Sequence, residues 1–308
     1  MKVLIIGGTA LVGPHLIREL FKNGVFDVHT MTRTAQTVLC EQAHIADRRD
    51  KGALLNLLLQ VTPDVIIDMI PFTQEDATLL TTALTTLGIE IPVIALSSID
   101  VYAAYANLHR TESIALQPHP ITEDLPQRTQ LGPEGKVYDK LSIESTYTEQ
   151  LESVCILRLP AIYGWPDTTR VSQYLDRMLD GDTEIAIQPE ESDWQFSRSF
   201  HKNVAHAIFL AVQASLPGIN IFNVAEKEAF TTRQWIQKIA SVCGWQGQIV
   251  AKSTTDDALN WRQHFHVSSE KIRQQLGYDE KYCIDEGLAD TIAFHSYQRT
   301  ARTYKKYY

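Results

Sequence analysis

"KVLIIGGTALVG", Lys2 to Gly13, is the stretch whose reading decides the fold. Its first five residues are apolar and β-branched almost throughout, as expected of a parallel strand covered on both faces. Glycines follow at once, and "PHLIRELFKNG" then carries Leu16, Leu20 and Phe21 at helical spacing until Gly24 stops it. A strand that turns directly into a helix leaves helix N-terminal amides free, and with the helix dipole these form a site for a pyrophosphate. The pattern is Gly7-x-x-Ala10-x-x-Gly13, so an alanine stands where an all-glycine turn has its middle glycine. The Ala10 methyl is either harmless or pushes a pyrophosphate outward, and the sequence leaves both open. A tight turn that binds nothing is the plain alternative.

The theme repeats outward from this stretch. "DVHTMT", "DVIIDMI" and "PVIALSS" read as further strands, and "KGALLNLLLQV" and "DATLLTTALTTLG" as helices between them. Strands separated by helices predict an α/β fold with a doubly wound parallel sheet, whose ligands bind at the carboxyl ends of the strands. Four stretches fall at such ends: Gly7 to Gly13, Thr32-Arg33, Ala46-Asp47-Arg48 and Ser97-Ser98. At the end of the second strand a carboxylate would bind an unmodified adenosine ribose, whereas an arginine accommodates a 2′-phosphate. Thr32 and Arg33 occupy that place, which favours NADP over NAD unless Arg33 simply projects into water. Asp47 is placed for the adenine edge or for an ordinary turn.

With 308 residues, 44% of them apolar and 21% charged, the chain can bury a large core without a disulfide or metal staple. No apolar run approaches a membrane span, so no membrane partner is expected. The net charge of −9 argues against a broad phosphate-binding surface, and a nucleic-acid partner is not expected. Cys40, Cys155, Cys243 and Cys283 show no metal-ligand or paired spacing, which suggests no metal site and a reduced, cytoplasmic protein. The start enters a strand immediately, leaving no room for a signal peptide.

Taken in order, "IIGGTALVG", "IADRRD", "ALSSIDVYA", "LRLPAIYG", "FSRSFHKNVAHAI" and "IFNVAEKEAFTTRQW" make the chain resemble the extended short-chain dehydrogenase/reductase superfamily, specifically the NAD-dependent epimerase/dehydratase family. The resemblance covers nearly the whole chain. It implies a Rossmann-type dinucleotide-binding domain, residues 1–165, and a smaller C-terminal lobe, mainly substrate-binding and partly interwoven with the first, residues 166–308. It also implies hydride chemistry on a hydroxyl or carbonyl of a small-molecule substrate, such as a nucleotide sugar, and a homodimer. Cofactor contacts are then expected from Gly7, Thr9, Ala10, Leu11, Val12, Gly13, Thr32, Arg33, Asp47, Arg48, Ile70, Lys140, Pro160 and Ile162.

The catalytic residues expected from the resemblance are Ser98, Tyr138 and Lys140. A free tyrosine is a poor base at neutral pH, so a neighbouring lysine is a chemical requirement. Relatives place the two four residues apart; here "YDK" places them two apart, roughly 200° around a helix. The Lys140 register is preferred, with Lys136 where the tyrosine belongs and Tyr138 near the pocket mouth. The alternatives are a Tyr138 register, with Ser142 at the lysine position, or a non-helical backbone at Gly135 to Tyr138 that brings phenol and ammonium together. Glu144 reads as a helix-surface partner of Lys140.

Substrate contacts are expected from Asp100, Tyr163, Trp194 and Arg198. Asp100 is an acid or base candidate or a turn residue; Tyr163 shapes the nicotinamide pocket or the core. Arg198 matches the diphosphate position of sugar-nucleotide relatives, with an ion pair to Asp193 or Glu191 as the alternative. The long connection from Tyr102 to Gly135, which holds His109 and His119, is expected to roof the pocket. A cofactor-binding regulator without turnover is the second function compatible with the displaced tyrosine, and an RNA-binding relative the third.

Overall fold

Parallel pairing begins with β1 (Lys2–Ile6) and continues through β2 (Asp27–Thr32), β3 (Gln42–Ile45), β4 (Val65–Asp68), β5 (Val93–Ser98) and β6 (Val154–Leu159), with the strand Ile219–Asn223 closing one edge. This computed structural model describes residues 1–34, 42–166, 169–253 and 258–307, the last six by backbone alone; Cys40 lies outside them. The sheet order is Ile219–Asn223, β6, β5, β4, β1, β2, β3, and every neighbouring pair is parallel. The doubly wound sheet expected from the alternating pattern is therefore present. β3 was not signalled: "QAHI" is an exposed edge strand, and edge strands lack the two-sided apolar run that marks the others.

Successive residues of each strand feed opposite faces. Val3 and Ile5 pack with Leu16, Ile17 and Leu20 of α1 (Gly13–Asn23) and with the helix His201–Ala214. Leu4 and Ile6 pack with α2 (Lys51–Val61), α3 (Gln74–Leu87) and, through Ile143 and Tyr147, a helix at Lys140–Gln150. Gly24 ends α1 in the left-handed region, φ 74°, and a Thr73–Asp76 capping box starts α3. A third cluster gathers Tyr163, Phe200, Trp235, Ile236 and Leu288. Among the described residues no helix is long and apolar enough to cross a membrane.

The connection after Tyr102 is not a roof. It forms α4 (Ala103–Leu108) and then runs against residues 259–268, with Ile121 bridging Val267 and the Gln263 side chain exchanging hydrogen bonds with Gln117. An excursion of this length is stable here because it is packed, with Ile121 and Tyr102 fully buried.

Glu144 also departs from expectation. The helix that carries it is α5 (Lys140–Gln150), and its side chain is buried at 4% exposure. It accepts from Arg158 Nη2 at 2.7 Å and Nε at 3.1 Å, from Ser97 Oγ at 2.5 Å and from Gln127 Nε2 at 2.9 Å. Helical i,i+4 spacing suggested a surface pair with Lys140, but tertiary packing turned Glu144 inward onto β6. Removing one partner of a buried, fully hydrogen-bonded ion pair leaves a desolvated charge. Glu144→Ala is expected to cost about 3–5 kcal/mol in urea unfolding, while replacing Glu144 and Arg158 together by leucine recovers much of it.

Candidate active site

A cleft of about 960 Å³ runs along the carboxyl ends of the strands. At one end the chain leaves β1 with Gly7 and Gly8 at φ 99° and 96°, and Leu11 takes φ 40° before α1 begins. A Cβ at Gly13 would lie 2.3 Å from the Gly8 backbone, so this crossing requires hydrogen there. A Cβ at Gly7 would press on the Ile70 side chain at 3.1 Å. Thr9 and Ala10 are exposed toward the cleft, and Leu11 and Val12 also line it. These glycines form a cradle above a helix N-terminus that suits a pyrophosphate.

Thr32, Arg33, Asp47, Arg48, Ile70, Pro160 and Ile162 line the same cleft. No carboxylate ends β2; Thr32 donates to the Thr34 carbonyl, and Arg33 is exposed. Arg48 is committed elsewhere, however. Its guanidinium grips both oxygens of Asp68, at 2.5 and 2.8 Å, and donates to the Asp76 carbonyl. Tyr147 also donates to Asp68, so Arg48 braces the cleft floor and offers a ligand little. The sequence reading missed Arg49, Phe72 and Arg170, which line the cleft but sit in no periodic or glycine-marked motif.

Tyr138 is not helical. Gly135, at φ 63°, opens a single 3₁₀ turn, Tyr138 follows with extended dihedrals, and α5 starts only at Lys140. The non-helical alternative is thus the one observed, and Lys136 is exposed away from the cleft lining. Ser98, Tyr138 and Lys140 meet at the cleft. Lys140 is 4% exposed; its Nζ donates to the carbonyls of Pro71 at 2.6 Å and Leu96 at 3.1 Å and lies over the rings of Tyr138 and Phe72, 5.1 and 5.3 Å from their centroids. Burial lowers its pKa to about 8, against the opposing pull of Asp100 and Asp68. Burial raises the Tyr138 phenol above its ordinary range, and Asp100 raises it further.

The four expected substrate contacts lie off the cleft lining, as does Gly13. Asp100 is 7% exposed and sits behind Ser98 and Tyr138. Tyr163 is fully buried, donating to Glu226 and packed on Phe200 and Trp235. Trp194 stacks on Phe196 and donates to the Gln263 carbonyl, so it fills the core. Arg198 lies over the Trp235 ring at 4.5 Å and donates to the Phe196 carbonyl; neither Asp193 nor Glu191 pairs with it. Burial lowers its pKa to about 10. Arg170, whose carbonyl accepts from Trp235 Nε1, lines the cleft. The resemblance singled out Arg198, and only packing shows that Arg170 lines the cleft instead.

His201, 2% exposed, went unread. Its Nδ1 lies 3.2 Å from the Leu11 carbonyl, and His15 meets its ring edge-on at 4.3 Å. A Cβ at Gly164 would fall 2.4 Å from the imidazole, so Gly164 makes room for it. Burial lowers His201 to about 4, which keeps the imidazole neutral at physiological pH, with its Nδ1–H donated to Leu11. His201→Phe is expected to weaken dinucleotide binding roughly 3- to 10-fold, the worth of one hydrogen bond, and His201→Asn, which keeps a donor, to restore most of it. Titration calorimetry measures both.

Burial also raises Asp100 to about 6 and Glu226 to about 7. The folded chain then holds protons that the unfolded chain has released, so these groups make stability fall as pH rises from the ordinary carboxylate range to those values. Glu226→Gln is expected to flatten that decline in urea midpoints taken from pH 4 to 8.

The sequence matches the profile of the NAD dependent epimerase/dehydratase family over residues 3–225. Similar solved structures include UDP-glucose 4-epimerase from Thermotoga maritima with UDP-glucose, at 17% identity and TM-score 0.73, covering 97% of this chain and 99% of that one. UDP-glucose 4-epimerase from Thermus thermophilus in complex with NAD has 19% identity and TM-score 0.71 over 95% and 98% of the two chains. dTDP-glucose 4,6-dehydratase from Bacillus anthracis, also with NAD, has 14% identity and TM-score 0.74 over 96% of each. No curated protein sequence matches the chain.

Proposed function

The chain belongs to the NAD dependent epimerase/dehydratase family, and on that premise we propose that it is a nicotinamide-dependent enzyme that oxidises or epimerises a hydroxyl-bearing carbon of a nucleotide sugar. The observation that carries this is one continuous cleft that joins the glycine cradle to Ser98, Tyr138 and Lys140 and reaches Arg170. The similar structures with UDP-glucose or NAD bound support the ligand class.

The residues fit a dinucleotide. A pyrophosphate would rest on the Gly7 to Gly13 turn, which side chains at Gly7 and Gly13 would obstruct. When bound, the nicotinamide supplies the hydride acceptor or donor. Ser98 would hydrogen-bond the reacting substrate oxygen, and Tyr138 would exchange its proton. Lys140 would keep positive charge beside both, its ammonium lying over the phenol ring. Arg170 would take a substrate phosphate in the role expected of Arg198. Residues 166–308 would mainly form the substrate side, and a homodimer, measured by sedimentation equilibrium, is the proposed assembly.

NADP is the preferred form in this reading, because β2 ends without a carboxylate and Arg33 is exposed at the cleft. Arg49 is partly engaged by Asp76 at 3.1 Å. Charge-assisted hydrogen bonds to a 2′-phosphate are worth about 1.5–3 kcal/mol, or roughly 10- to 100-fold. Arg33→Ala is expected to weaken NADPH binding by that factor and leave NADH binding nearly unchanged in fluorescence titration. Equal loss for both would remove the NADP assignment.

The second reading is a dinucleotide-binding regulator without turnover. The engagement of Lys140 Nζ by two carbonyls favours it. Tight dinucleotide binding with no reduction of NADP or NAD by UDP-glucose or dTDP-glucose would select it.

A further inference from the structure

The stretch "GPEGKVYD", Gly132 to Asp139, has a proline and two glycines among its first four residues, a composition that resists helix. It passes through the 3₁₀ turn Gly135–Val137, and Tyr138 follows at φ −148° and ψ 93°, outside α5. A tyrosine within a helix takes its direction from the helix backbone; Tyr138 lacks that support and needs other ties. On its C-terminal side the Asp139 N–H donates to the Phe72 carbonyl at 2.9 Å. On its N-terminal side the backbone bonds, Gly135 N–H to the Gly132 carbonyl and Tyr138 N–H to the Gly135 carbonyl, stay within the segment. The outward tie there is Glu134. Its Oε1 accepts from the Tyr105 hydroxyl at 2.7 Å, and among the described residues this is the hydrogen bond that joins residues 131–137 to another element. Gly132 makes room for it: a Cβ there would stand 2.8 Å from Glu134 Oε2 and 3.3 Å from the Tyr105 ring, so a side chain would displace the carboxylate.

Tyr105 is a firm anchor. Its ring packs on His109 and Phe265, 4.2 and 5.7 Å between centroids, and its neighbours Ala104 and Ala106 are buried. α4, which carries it, is continuous with Ser98. Ser98 Oγ accepts from the Asp100 N–H, the Ile99 carbonyl from the Tyr102 N–H, and the Tyr102 carbonyl from the Tyr105 N–H. The Tyr105–Glu134 bond therefore ties the chain that delivers Tyr138 to the chain that carries Ser98, and those two side chains meet at the cleft. Neither Tyr105 nor Glu134 lines the cleft.

We propose that Tyr105 and Glu134 form a latch that sets the position of Tyr138 against Ser98. Both are positioning residues, acting through the segment that ends in Tyr138. The catalytic consequence rests on the oxidoreductase reading above; the positional one stands without it. The bond is exposed, so it adds little to global stability. An error of about 1 Å in a reacting group, by contrast, costs up to roughly 100-fold in rate. Loss of the latch is therefore read in turnover rather than in unfolding.

The test begins without substrate and uses Tyr105→Phe, which keeps the ring, Glu134→Ala, and Glu134→Gln, which keeps an acceptor at Oε1. In ¹³C-tyrosine-labelled protein the Tyr138 ring resonance is the one missing from Tyr138→Phe. It should shift or broaden in Tyr105→Phe and Glu134→Ala and stay near its wild-type position in Glu134→Gln. With NADP or NAD and UDP-glucose as the probe, Tyr105→Phe and Glu134→Ala should lose roughly 10- to 100-fold in kcat. Dinucleotide Kd by calorimetry and the urea midpoint should stay at their wild-type values, and Glu134→Gln should recover most of the rate. A Tyr138 resonance unmoved in both Tyr105→Phe and Glu134→Ala overturns the proposal whether or not UDP-glucose reacts. A kcat untouched by either variant overturns it as well, as does an equal loss in Glu134→Gln and Glu134→Ala. Wild type that binds neither dinucleotide, or binds one and does not turn over, removes the oxidoreductase reading instead, and the resonance alone then decides the latch.

Discussion

The contact between Gly13 and the backbone of Gly8 is the constraint on which the site depends. A Cβ at Gly13 would stand 2.3 Å from the Gly8 backbone, so α1 can leave β1 this closely only with hydrogen at that position. The close departure aims the first turn of α1 at the cleft and brings Thr9 and Ala10 to its wall. It also places the Leu11 carbonyl where His201, from a helix almost two hundred residues later, can hold it. Gly164 yields space to that imidazole, so the cradle, the segment after β6 and the helix His201–Ala214 form one mechanical unit. The physical theme is close approach of backbone, which no side chain but hydrogen permits.

Beneath the cleft, two buried charge networks brace the sheet. Arg48, Asp68 and Tyr147 tie the segment after β3 to the end of β4 and to α5. Glu144, Arg158, Ser97 and Gln127 tie α5 to β5 and β6. Each carboxylate accepts several hydrogen bonds, the condition under which a buried ion pair offsets much of its desolvation. Such pairs add little net stability compared with apolar residues of the same size, but they hold α5 in one register. Lys140 and the residues just before it are therefore delivered to the cleft on a fixed base.

That delivery resolves the spacing of the tyrosine and the lysine. Two residues apart on a helix, they would face opposite ways. With the chain extended at Tyr138 and helical from Lys140, both reach the cleft, and the ammonium lies over the phenol ring, 5.1 Å from its centroid. The geometry keeps a tyrosine, a serine and a lysine together on one cleft.

Local pattern was sufficient for most of the sheet and for the glycine turn, because apolar periodicity and glycine placement report on contacts made within a few residues. The family followed from the order of those stretches. Side chains whose role depends on distant partners were not legible in this way. Glu144 at i,i+4 from Lys140 has the spacing of a surface pair and is buried on Arg158; Arg198 resembles a phosphate ligand and is packed on Trp235, while Arg170 lines the wall. Tyr163 and Trp194 are large aromatics that either a pocket or a core could use, and the core took them. His201 carries no sequence signal at all, since its partner is a carbonyl, which every residue has. The sequence by itself determined which elements form and where their ends meet. The tertiary structure alone decided which side chains at those ends face the cleft, because burial and pairing are set by residues far apart in the chain.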